Sequence, residues 1–327
     1  MADPDKDSRA RHRDSGTAHS AYFLVGPTAS GKTAIAQHLA ETRGMGVLSA
    51  DSMLVYRGLD IGTAKPSRAE RKRVPYFGVD LVEPHEAFSV GTYLKFAGAA
   101  FEEARAKPCN LIVAGGTGLY VKCLTEGLDP ASEADAGQRA RADSILEAEG
   151  VEGLQRALQE AAPDRYRSLS DRRNPRRLIR ALELAWKGEP LRRSWSDRPR
   201  APLVGLMLDP DVLKKRIRTR VREMYEGGLL DEARRLKKDA ATPLSGTARH
   251  AIGYAEAFEV IENHRSLEEA MKKTEQRTCR LAKKQVTWFR HQAFVEWIPV
   301  EDGASVAELA AQVAAYWEKH GPTPVHI

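Results

Sequence analysis

The sequence of 327 residues predicts an α/β domain, a P-loop-type parallel sheet with helices on both faces, interrupted by an all-helical insertion. Three observations support this prediction. Short apolar runs alternate with helical patterns, which is typical of a parallel sheet covered on both faces. The first run leads into GPTASGKT at residues 26–33, a phosphate-binding loop pattern that requires a strand before it and a helix after it. Residues 128–202 are rich in Ala, Glu, Arg and Leu and are helical in character throughout.

The strands and the first helix are predicted from short local patterns. Apolar runs at residues 21–25, 47–50, 111–114 and 203–208 each have the length of a buried strand. The helical pattern AIAQHLAE follows the loop at residues 34–41. The polar segment before the first strand, residues 1–20, has too few apolar residues to pack and is expected to be a disordered tail.

Helix start and stop signals place the remaining elements. Asn174 followed by Pro175 is a good cap and first turn for a helix inside the insertion. A helix is expected at residues 211–226, before two glycines, and another at 267–291, where Ser266 and Glu269 form a capping box. The chain thus divides into a core of residues 21–127 and 203–300, an insertion of 128–202, and a C-terminal tail or helix of 301–327.

Composition excludes several classes of protein. Apolar residues make up 42% and charged residues 29%, the usual balance of a soluble globular protein. No apolar run approaches the roughly 18–20 residues that cross a bilayer, and the N-terminal segment lacks the apolar core of a secretory signal. The 3 cysteines are too few and too scattered for a disulfide framework or a zinc site. We expect a monomeric, cytoplasmic protein that does not bind membranes.

The positive charge is concentrated in two blocks. Residues 164–200 contain twelve lysines and arginines against five acidic residues, and residues 265–291 contain eight against three. Because the net charge of the whole chain is only +6, the rest of it is acidic. Such blocks favour a polyanionic partner, although solvated helix faces would have the same composition.

The loop at residues 26–33 matches the P-loop pattern in full. Its glycines let backbone N–H groups converge on phosphate oxygens, and the helix that follows adds its positive N-terminal end. The lysine supplies a point charge, and the last hydroxyl is suited to Mg²⁺. We therefore predict a di- or triphosphate site with Mg²⁺ as cofactor, which leaves the reaction open. The predicted phosphate-binding residues are Gly26, Pro27, Thr28, Ala29, Ser30, Gly31, Lys32 and Thr33.

The acidic residue of a phosphoryl-transfer site is not in its usual place. ATPases and kinases carry an acidic Mg²⁺ ligand at the end of a second strand, whereas the run at 111–114 ends in Gly-Gly-Thr. Asp51 instead follows the run at 47–50. A metal ligand, a general base and a cap are equally compatible with its spacing.

Seven segments of the chain resemble the tRNA dimethylallyltransferase family, also called tRNA isopentenyltransferases. They are GPTASGKT (26–33), SADSMLVYRGLDIGTAKP (49–66), GGTGLY (115–120), RRLIRALEL (176–184), RIRTRVREMYEGGLLDEA (216–233), AIGYAEA (251–257) and AKKQVTWFR (282–290). They occur in the family's order, and the resemblance covers residues from about 21 to 298. The combination of GPTASGK, DIGTAKP and TWFR is far more specific than the P-loop alone.

The resemblance implies an enzyme that transfers the dimethylallyl group of dimethylallyl diphosphate to the exocyclic N6 of the adenosine 3′-adjacent to the anticodon of tRNA. It implies that the P-loop, with Lys32 and with Mg²⁺ at Thr33, stabilises the departing diphosphate. Arg220 is similar to the family's diphosphate-contacting arginine, and Asp51 to its general base. Thr117 is similar to the threonine that helps to hold the target adenosine.

The resemblance also implies that the target base is extruded from the anticodon loop, and that the insertion is a tRNA-binding domain which acts with the C-terminal basic helix. Leu54, Ala255 and Lys284 depart from the family's commoner residues at these contacts. The implied tRNA contacts are Asp51, Ser52, Met53, Leu54, Thr117, Arg139, Arg176, Arg177, Leu178, Ile179, Arg180, His250, Ala251, Ile252, Gly253, Tyr254, Ala255, Lys283, Lys284, Gln285, Val286, Thr287, Trp288, Phe289 and Arg290.

Three other functions are compatible with parts of the sequence. A P-loop small-molecule kinase accounts for residues 26–33 but gives the basic helices no role. An isopentenyltransferase for free adenine nucleotides keeps the chemistry but has no use for an arginine-rich insertion. An RNA-binding module with an inactive P-loop has no need of Lys32, Thr33 and Asp51 together.

Overall fold

The computed structural model describes residues 19–107, 109–128, 135–189, 202–239 and 242–327. The chain divides into two compact units, one formed by Met1–Gly127 with Arg200–Ile327 and the other by Leu128–Pro199. Residues 1–18 of the expected disordered tail lie outside the described residues. The tail was predicted two residues too long, because His19 and Ser20 belong to the first strand, where they pair with Val325 and Pro324.

A seven-stranded sheet forms the centre of the first unit. Its strands are β1 (His19–Val25), β2 (Gly46–Ser49), β3 (Tyr76–Phe77), β4 (Leu111–Gly115), β5 (Pro202–Met207), β6 (Phe294–Pro299) and β7 (Thr323–Val325). The order is β3-β2-β4-β1-β5-β6, with parallel pairing throughout, and β7 runs antiparallel to the first half of β1. Every residue of β2 and β4 is buried, so both faces of the sheet are covered, as predicted.

The helices lie between and after the strands. They are α1 (Lys32–Arg43), α2 (Arg68–Arg73), α3 (Val90–Ala106), α4 (Gly118–Glu126), α5 (Ala136–Ala161), α6 (Pro163–Ser168), α7 (Pro175–Trp186), α8 (Pro210–Glu226), α9 (Leu229–Asp239), α10 (Gly246–Arg249), α11 (Tyr254–Ile261), α12 (Leu267–Gln292) and α13 (Val306–His320). Helices α5, α6 and α7 belong to the second unit. Within the described ranges, no helix has both the length and the apolarity that crossing a membrane requires.

The predicted helix boundaries are confirmed where a capping side chain determines them. The side chain of Asn174 accepts a hydrogen bond from the Arg176 N–H at the start of α7. Ser266 and Glu269 form the capping box of α12, in which each side chain accepts from the other residue's backbone N–H. These signals succeed because a cap is satisfied by residues two or three positions away, whatever the rest of the chain does.

Three strands were not predicted. β3 has only two residues, too few for any period. β6 lies at the sheet edge, and the 58% exposure of Phe294 removes the buried apolar run by which the other strands were found. β7 lies in the segment that was predicted as a tail or helix; α13 confirms the helix, but a three-residue strand depends entirely on its partner β1.

Helices cover the sheet through two apolar layers. On one face, α1 and α13 pack on the sheet through side chains such as Ile35 and Val313. On the other, α3 and α4 contact each other and the strands, and the rings of Tyr93 and Tyr120 stack with centroids 3.9 Å apart. A separate apolar cluster joins α8, α9, α11 and α12. The helical unit has its own core, which includes Leu178.

The parallel strands bring three loops to one edge of the sheet. Val25 pairs with Gly115, and Ser49 pairs with Ala114, so β1, β2 and β4 end at the same level. The loops that follow them begin at Gly26, Ala50 and Gly116. In open α/β sheets ligands bind outside these carboxyl ends, so this edge is the candidate site.

Candidate active site

The P-loop leaves β1 with a backbone that its sequence permits. Gly26 and Gly31 have positive φ angles of 150° and 92°. A methyl group built on Gly26 would lie 3.1 Å from the Leu206 carbonyl oxygen, so a side chain there would press against β5. α1 begins immediately afterwards at Lys32, which points the positive end of the helix at the loop. The predicted strand, loop and helix are therefore all present.

Lys32 is buried beneath the loop, and its Nζ donates to the Pro27 carbonyl oxygen at 3.0 Å. Burial lowers the pKa of Lys32 from 10.5 to about 8; the Asp51 carboxylate raises this pKa and the Arg220 guanidinium lowers it. These three predicted catalytic side chains therefore lie within electrostatic reach of one another. Their charges sum to +1 when Lys32 is protonated, which suits an anionic ligand.

Asp51 has one carboxylate oxygen engaged and one available. The Met53 N–H donates to Asp51 Oδ1 at 2.9 Å, which closes a turn directly after β2. Oδ2 accepts no hydrogen bond from the described residues. Of the roles that its spacing allowed, the turn cap is thus observed, and the second oxygen is available for a proton or a metal ion.

Thr117 positions the loop that carries Asp51. Its backbone N–H donates to the Ala50 carbonyl oxygen at 3.0 Å, and its Oγ1 accepts from the Ser52 N–H at 3.0 Å. These bonds tie the turn after β4 to the turn after β2. The predicted contact of Thr117 with adenosine remains a prediction.

Arg220 extends from α8 to the DIGTAKP segment. Its Nη2 donates to the Thr63 carbonyl oxygen at 3.1 Å. Burial lowers the pKa of Arg220 below its usual value, and the Asp51 and Glu223 carboxylates oppose that shift. The DIGTAKP segment thus holds a guanidinium beside the P-loop lysine and the candidate base.

Lys65, in the same segment, has no N–H donor left for a substrate, because the protein occupies all three. Its Nζ lies 2.6 Å from carboxylate oxygens of both Asp60 and Asp80 and donates to the Tyr56 carbonyl oxygen at 2.7 Å. An ammonium group has three N–H donors, and all three are occupied. The sequence analysis did not predict that Lys65 links Asp60, Asp80 and Tyr56, although its position inside the DIGTAKP motif was a signal.

Gln285 joins α12 to the phosphate loop. Its Oε1 accepts from the Thr28 N–H at 2.8 Å, and its Nε2 donates to the Gly116 carbonyl oxygen at 3.1 Å. The structure therefore shows Gln285 as an internal link between α12, the P-loop and the turn after β4. Its predicted contact with tRNA stays a prediction.

The aromatic residues of α12 anchor that helix. Phe289 is fully buried and meets Trp288 edge-to-face, with ring centroids 5.2 Å apart. Trp288 covers Gly118 so closely that a methyl group built there would lie 2.1 Å from its ring. Of the two roles that aromatics have in such helices, base stacking and anchoring, the structure shows anchoring for Phe289.

Several of the residues predicted to contact tRNA are buried in the structure, and their contacts with tRNA stay predictions. Tyr254, for example, is fully buried, and its hydroxyl bonds Glu232 while it accepts from the Gly62 N–H at 3.1 Å. The buried residues are Leu54, Leu178, Ile179, Ala251, Gly253, Tyr254 and Phe289. Helical and turn segments present only part of their residues to solvent, whereas the prediction took each segment whole.

The cationic side chains of α12 fall into two groups. In the first half of the helix, Lys273 pairs with Glu259 and Arg277 pairs with Glu256, whereas Lys272 is exposed and has no ion-pair partner among the described residues. In the second half, four exposed cations have no ion-pair partner among the residues that the structure describes. They are Arg280, Lys283, Lys284 and Arg290.

Within the helical unit, a buried carboxylate organises two predicted tRNA-contacting arginines. Glu183 is 1% exposed and lies 3.4 Å from Arg139 Nη1 and 3.0 Å from Arg180 Nη1. Four arginine side chains line a cleft of about 390 Å³ in this unit. They are Arg165, Arg176, Arg177 and Arg180. The burial of Glu183 was not predicted, since a charged residue in a basic helix is normally expected to be exposed to solvent.

The residues at the loop are compatible with Mg²⁺ bound together with a phosphate ligand. Thr33 is exposed, and its hydroxyl has no hydrogen-bond partner in the described ranges. No group of three or more His, Cys, Asp and Glu residues within those ranges could hold a metal ion by itself. Mg²⁺ commonly takes one or two protein oxygens plus substrate phosphates, and the Thr33 hydroxyl offers one such oxygen.

Comparison with known proteins gives a consistent result. The family model described as IPP transferase matches residues 54–292, and one described as Isopentenyl transferase matches residues 19–75. A tRNA dimethylallyltransferase of Thermus thermophilus is 41% identical over 272 residues, covering 82% of this chain and 89% of that protein. Another, from Myxococcus xanthus, is 41% identical over 276 residues with the same coverage of both chains, 82% and 89%.

Solved structures agree with the sequence comparison. The crystal structure of a tRNA isopentenylpyrophosphate transferase from Bacillus halodurans has a TM-score of 0.64 and 34% identity, covering 91% of this chain and 97% of that one. A eukaryotic dimethylallyltransferase acting on tRNA shares the fold, with a TM-score of 0.69 at 20% identity, over 92% of this chain and 76% of that one. The chain therefore belongs to the IPP transferase family.

Proposed function

We propose that this chain is a tRNA dimethylallyltransferase, which transfers the dimethylallyl group of dimethylallyl diphosphate to the N6 amine of the adenosine 3′-adjacent to the anticodon. One observation carries the proposal: Asp51 lies within electrostatic reach of Lys32 and Arg220, beside a complete P-loop. The cations suit a diphosphate, and the carboxylate suits an amine that must lose a proton. The names of the related proteins support the same reaction.

The chain's own residues account for each part of the transfer. The bond from the allylic carbon to the diphosphate oxygen breaks, and the carbon bonds to the adenine N6. Lys32, the loop N–H groups and Arg220 stabilise the negative charge that develops on the leaving diphosphate. The amine proton passes to Asp51, whose Oδ2 is the unengaged oxygen. Binding a diphosphate also favours the protonated form of Lys32, whose pKa burial has lowered to about 8.

Mg²⁺ is proposed as the cofactor, held by the Thr33 hydroxyl and by substrate phosphates. When bound, it neutralises part of the diphosphate charge and so makes the leaving group better. The support on this chain is the exposed Thr33 side chain at the first turn of α1, which makes no hydrogen bond to the described residues.

Transfer RNA is the proposed acceptor because each unit carries cations that suit it. In the first unit these are the exposed residues of the second half of α12, including Lys283, Lys284 and Arg290. In the helical unit, the cleft with Arg176 and Arg177 suits RNA phosphates. An adenine must leave the anticodon loop to reach the P-loop, and single-stranded loops are the RNA regions whose bases are most easily splayed out. We further propose that the enzyme is monomeric and cytoplasmic.

A small-molecule kinase is less well supported. The strand β4 ends at Gly115 and is followed by Gly116 and Thr117, without the acidic Mg²⁺ ligand that phosphoryl-transfer enzymes commonly place there. Free adenine nucleotides as acceptors would leave the arginine-lined cleft of the helical unit without a function. Competition between tRNA and AMP for the same prenyl donor separates these two acceptors.

The direct test is to incubate the protein with tRNA, Mg²⁺ and dimethylallyl diphosphate and to detect isopentenyladenosine by mass after digestion. Asp51→Asn should lower turnover by about 10²–10⁴-fold while tRNA affinity stays within a few-fold. Asp302→Asn, at an exposed position, is the matched control. Transfer of the γ-phosphate of ATP without prenylation would contradict the proposal, and normal turnover by the Asp51 variant would remove this residue as the base.

A further inference from the structure

Helix α8 brings a second arginine to the P-loop. Arg216 lies four residues before Arg220, so both side chains project from the same face of α8, about 6 Å apart along its axis. A methyl group built on Gly31 would lie 3.9 Å from Arg216 Nη1, and no other atom outside the neighbouring residues lies within 4 Å of it. The guanidinium therefore borders the end of the loop from which α1 begins.

The environment of Arg216 differs from that of the other arginines of α8. Arg218 lies 3.4 Å from the Glu275 carboxylate, and Arg220 donates to a carbonyl oxygen. Arg216 is half-buried yet has neither an ion pair nor a hydrogen bond with the residues that the structure describes. Because a partly buried charge without a partner is unfavourable, such a side chain is suited to an anionic ligand.

The diphosphate site described above needs more positive charge, which Arg216 can supply. Lys32, Arg220 and Asp51 together provide a net charge of only +1 for a substrate that carries two phosphate groups. Arg220 interacts electrostatically with both Asp51 and Lys32. Arg216 lies at Gly31, on the loop itself.

We propose that Arg216 binds the distal phosphate of the prenyl diphosphate, while Lys32 and Arg220 serve the phosphate that bonds the reacting carbon. The inference rests on the proposed function, since it assigns a contact within the same diphosphate site. A planar guanidinium binds phosphate oxygens through two parallel N–H groups held in a fixed geometry, which the ammonium group of a lysine does not provide. Arg216 thus adds geometric selection for a diphosphate over a monophosphate.

The test is calorimetric titration of the full chain with inorganic pyrophosphate in the presence of Mg²⁺. Arg216→Ala should weaken pyrophosphate binding about ten- to hundredfold and raise the KM for dimethylallyl diphosphate by a similar factor. Arg216→Lys should fall between the two proteins. The matched control is Arg222→Ala, which removes an exposed arginine from the same helix and should bind pyrophosphate like the wild type.

Two further measurements separate this inference from its alternatives. Melting temperature is compared across the variants, and Arg216→Lys keeps the test valid should the alanine variant fold poorly. Pyrophosphate affinity of Arg216→Ala equal to that of Arg222→Ala would overturn the assignment, as would a loss confined to tRNA binding. If the wild-type chain itself does not bind pyrophosphate, the proposed function fails before this inference is reached.

Discussion

Replacing Gln285 by alanine tests whether the link between α12 and the P-loop supports diphosphate binding. The change removes two hydrogen bonds, one from the Thr28 N–H at 2.8 Å and one to the Gly116 carbonyl oxygen at 3.1 Å. Each is worth about 1 kcal/mol, and leaving the partly buried Thr28 N–H unpaired adds about 1 kcal/mol. We expect the free energy of unfolding to fall by about 2–3 kcal/mol.

The same change should loosen the loop that binds the diphosphate. If a displaced loop loses about half of that energy as binding energy, the KM for dimethylallyl diphosphate rises about tenfold, since 1.4 kcal/mol corresponds to a factor of ten. Guanidinium unfolding gives the stability, and initial rates at saturating tRNA give the KM. Gln276→Ala is the control, because Gln276 lies on the same helix with an exposed side chain.

A second substitution separates the two bonds. Gln285→Glu keeps an acceptor for the Thr28 N–H but places a carboxylate oxygen against the Gly116 carbonyl oxygen. It should therefore lose stability while retaining more of the loop geometry than the alanine variant does. Wild-type stability and wild-type KM in Gln285→Ala would refute the reasoning, since the two bonds would then have no measurable effect.

Two other predictions concern Lys32 and Gly118. Burial lowers the pKa of Lys32 from 10.5 to about 8, so the side chain loses its charge above pH 8 in the folded protein and pyrophosphate affinity should fall by up to tenfold per pH unit. The stability of the unliganded protein should instead rise between pH 8 and 10.5, because the unfolded chain keeps the Lys32 proton over this range and the folded chain does not. Pyrophosphate titrations and guanidinium unfolding, each from pH 7 to 10, measure these two pH dependences. The Lys32→Arg variant, whose side chain stays charged, should show neither. Gly118→Ala should destabilise the protein by about 1–3 kcal/mol in guanidinium unfolding, because its methyl group would lie 2.1 Å from Trp288. Gly246→Ala is the control, with nothing within 4 Å, and equal stabilities of the two variants would contradict the packing argument.

The sequence predicted those parts of the site that depend on neighbouring residues. The P-loop, the strand before it and the helix after it follow from one local pattern, which the structure confirms. Asp51 and Thr117 were placed at strand ends by the same kind of reasoning, and the parallel pairing of β2 with β4 brings their turns together. Periodicity and capping signals are local, so they survive in a single sequence.

The parts that were missed depend on contacts between distant segments. Thr28 and Gln285 are separated by 257 positions, and no local pattern connects them. The burial of Leu178 and Ile179 was missed for another reason: the family's segment was taken whole, although a helix that begins with arginines buries its opposite face. Helical periodicity, applied to the segment, would have identified both residues as core positions.

The last two elements of the chain support both elements that frame the P-loop. β7 pairs with the first half of β1, α13 packs on α1, and the Trp317 indole of α13 donates to the Phe23 carbonyl oxygen of β1. A nascent chain on the ribosome that has not yet released residues 306–325 thus holds an incompletely supported phosphate loop. Diphosphate-binding competence should therefore appear late in synthesis, well after the loop itself has emerged.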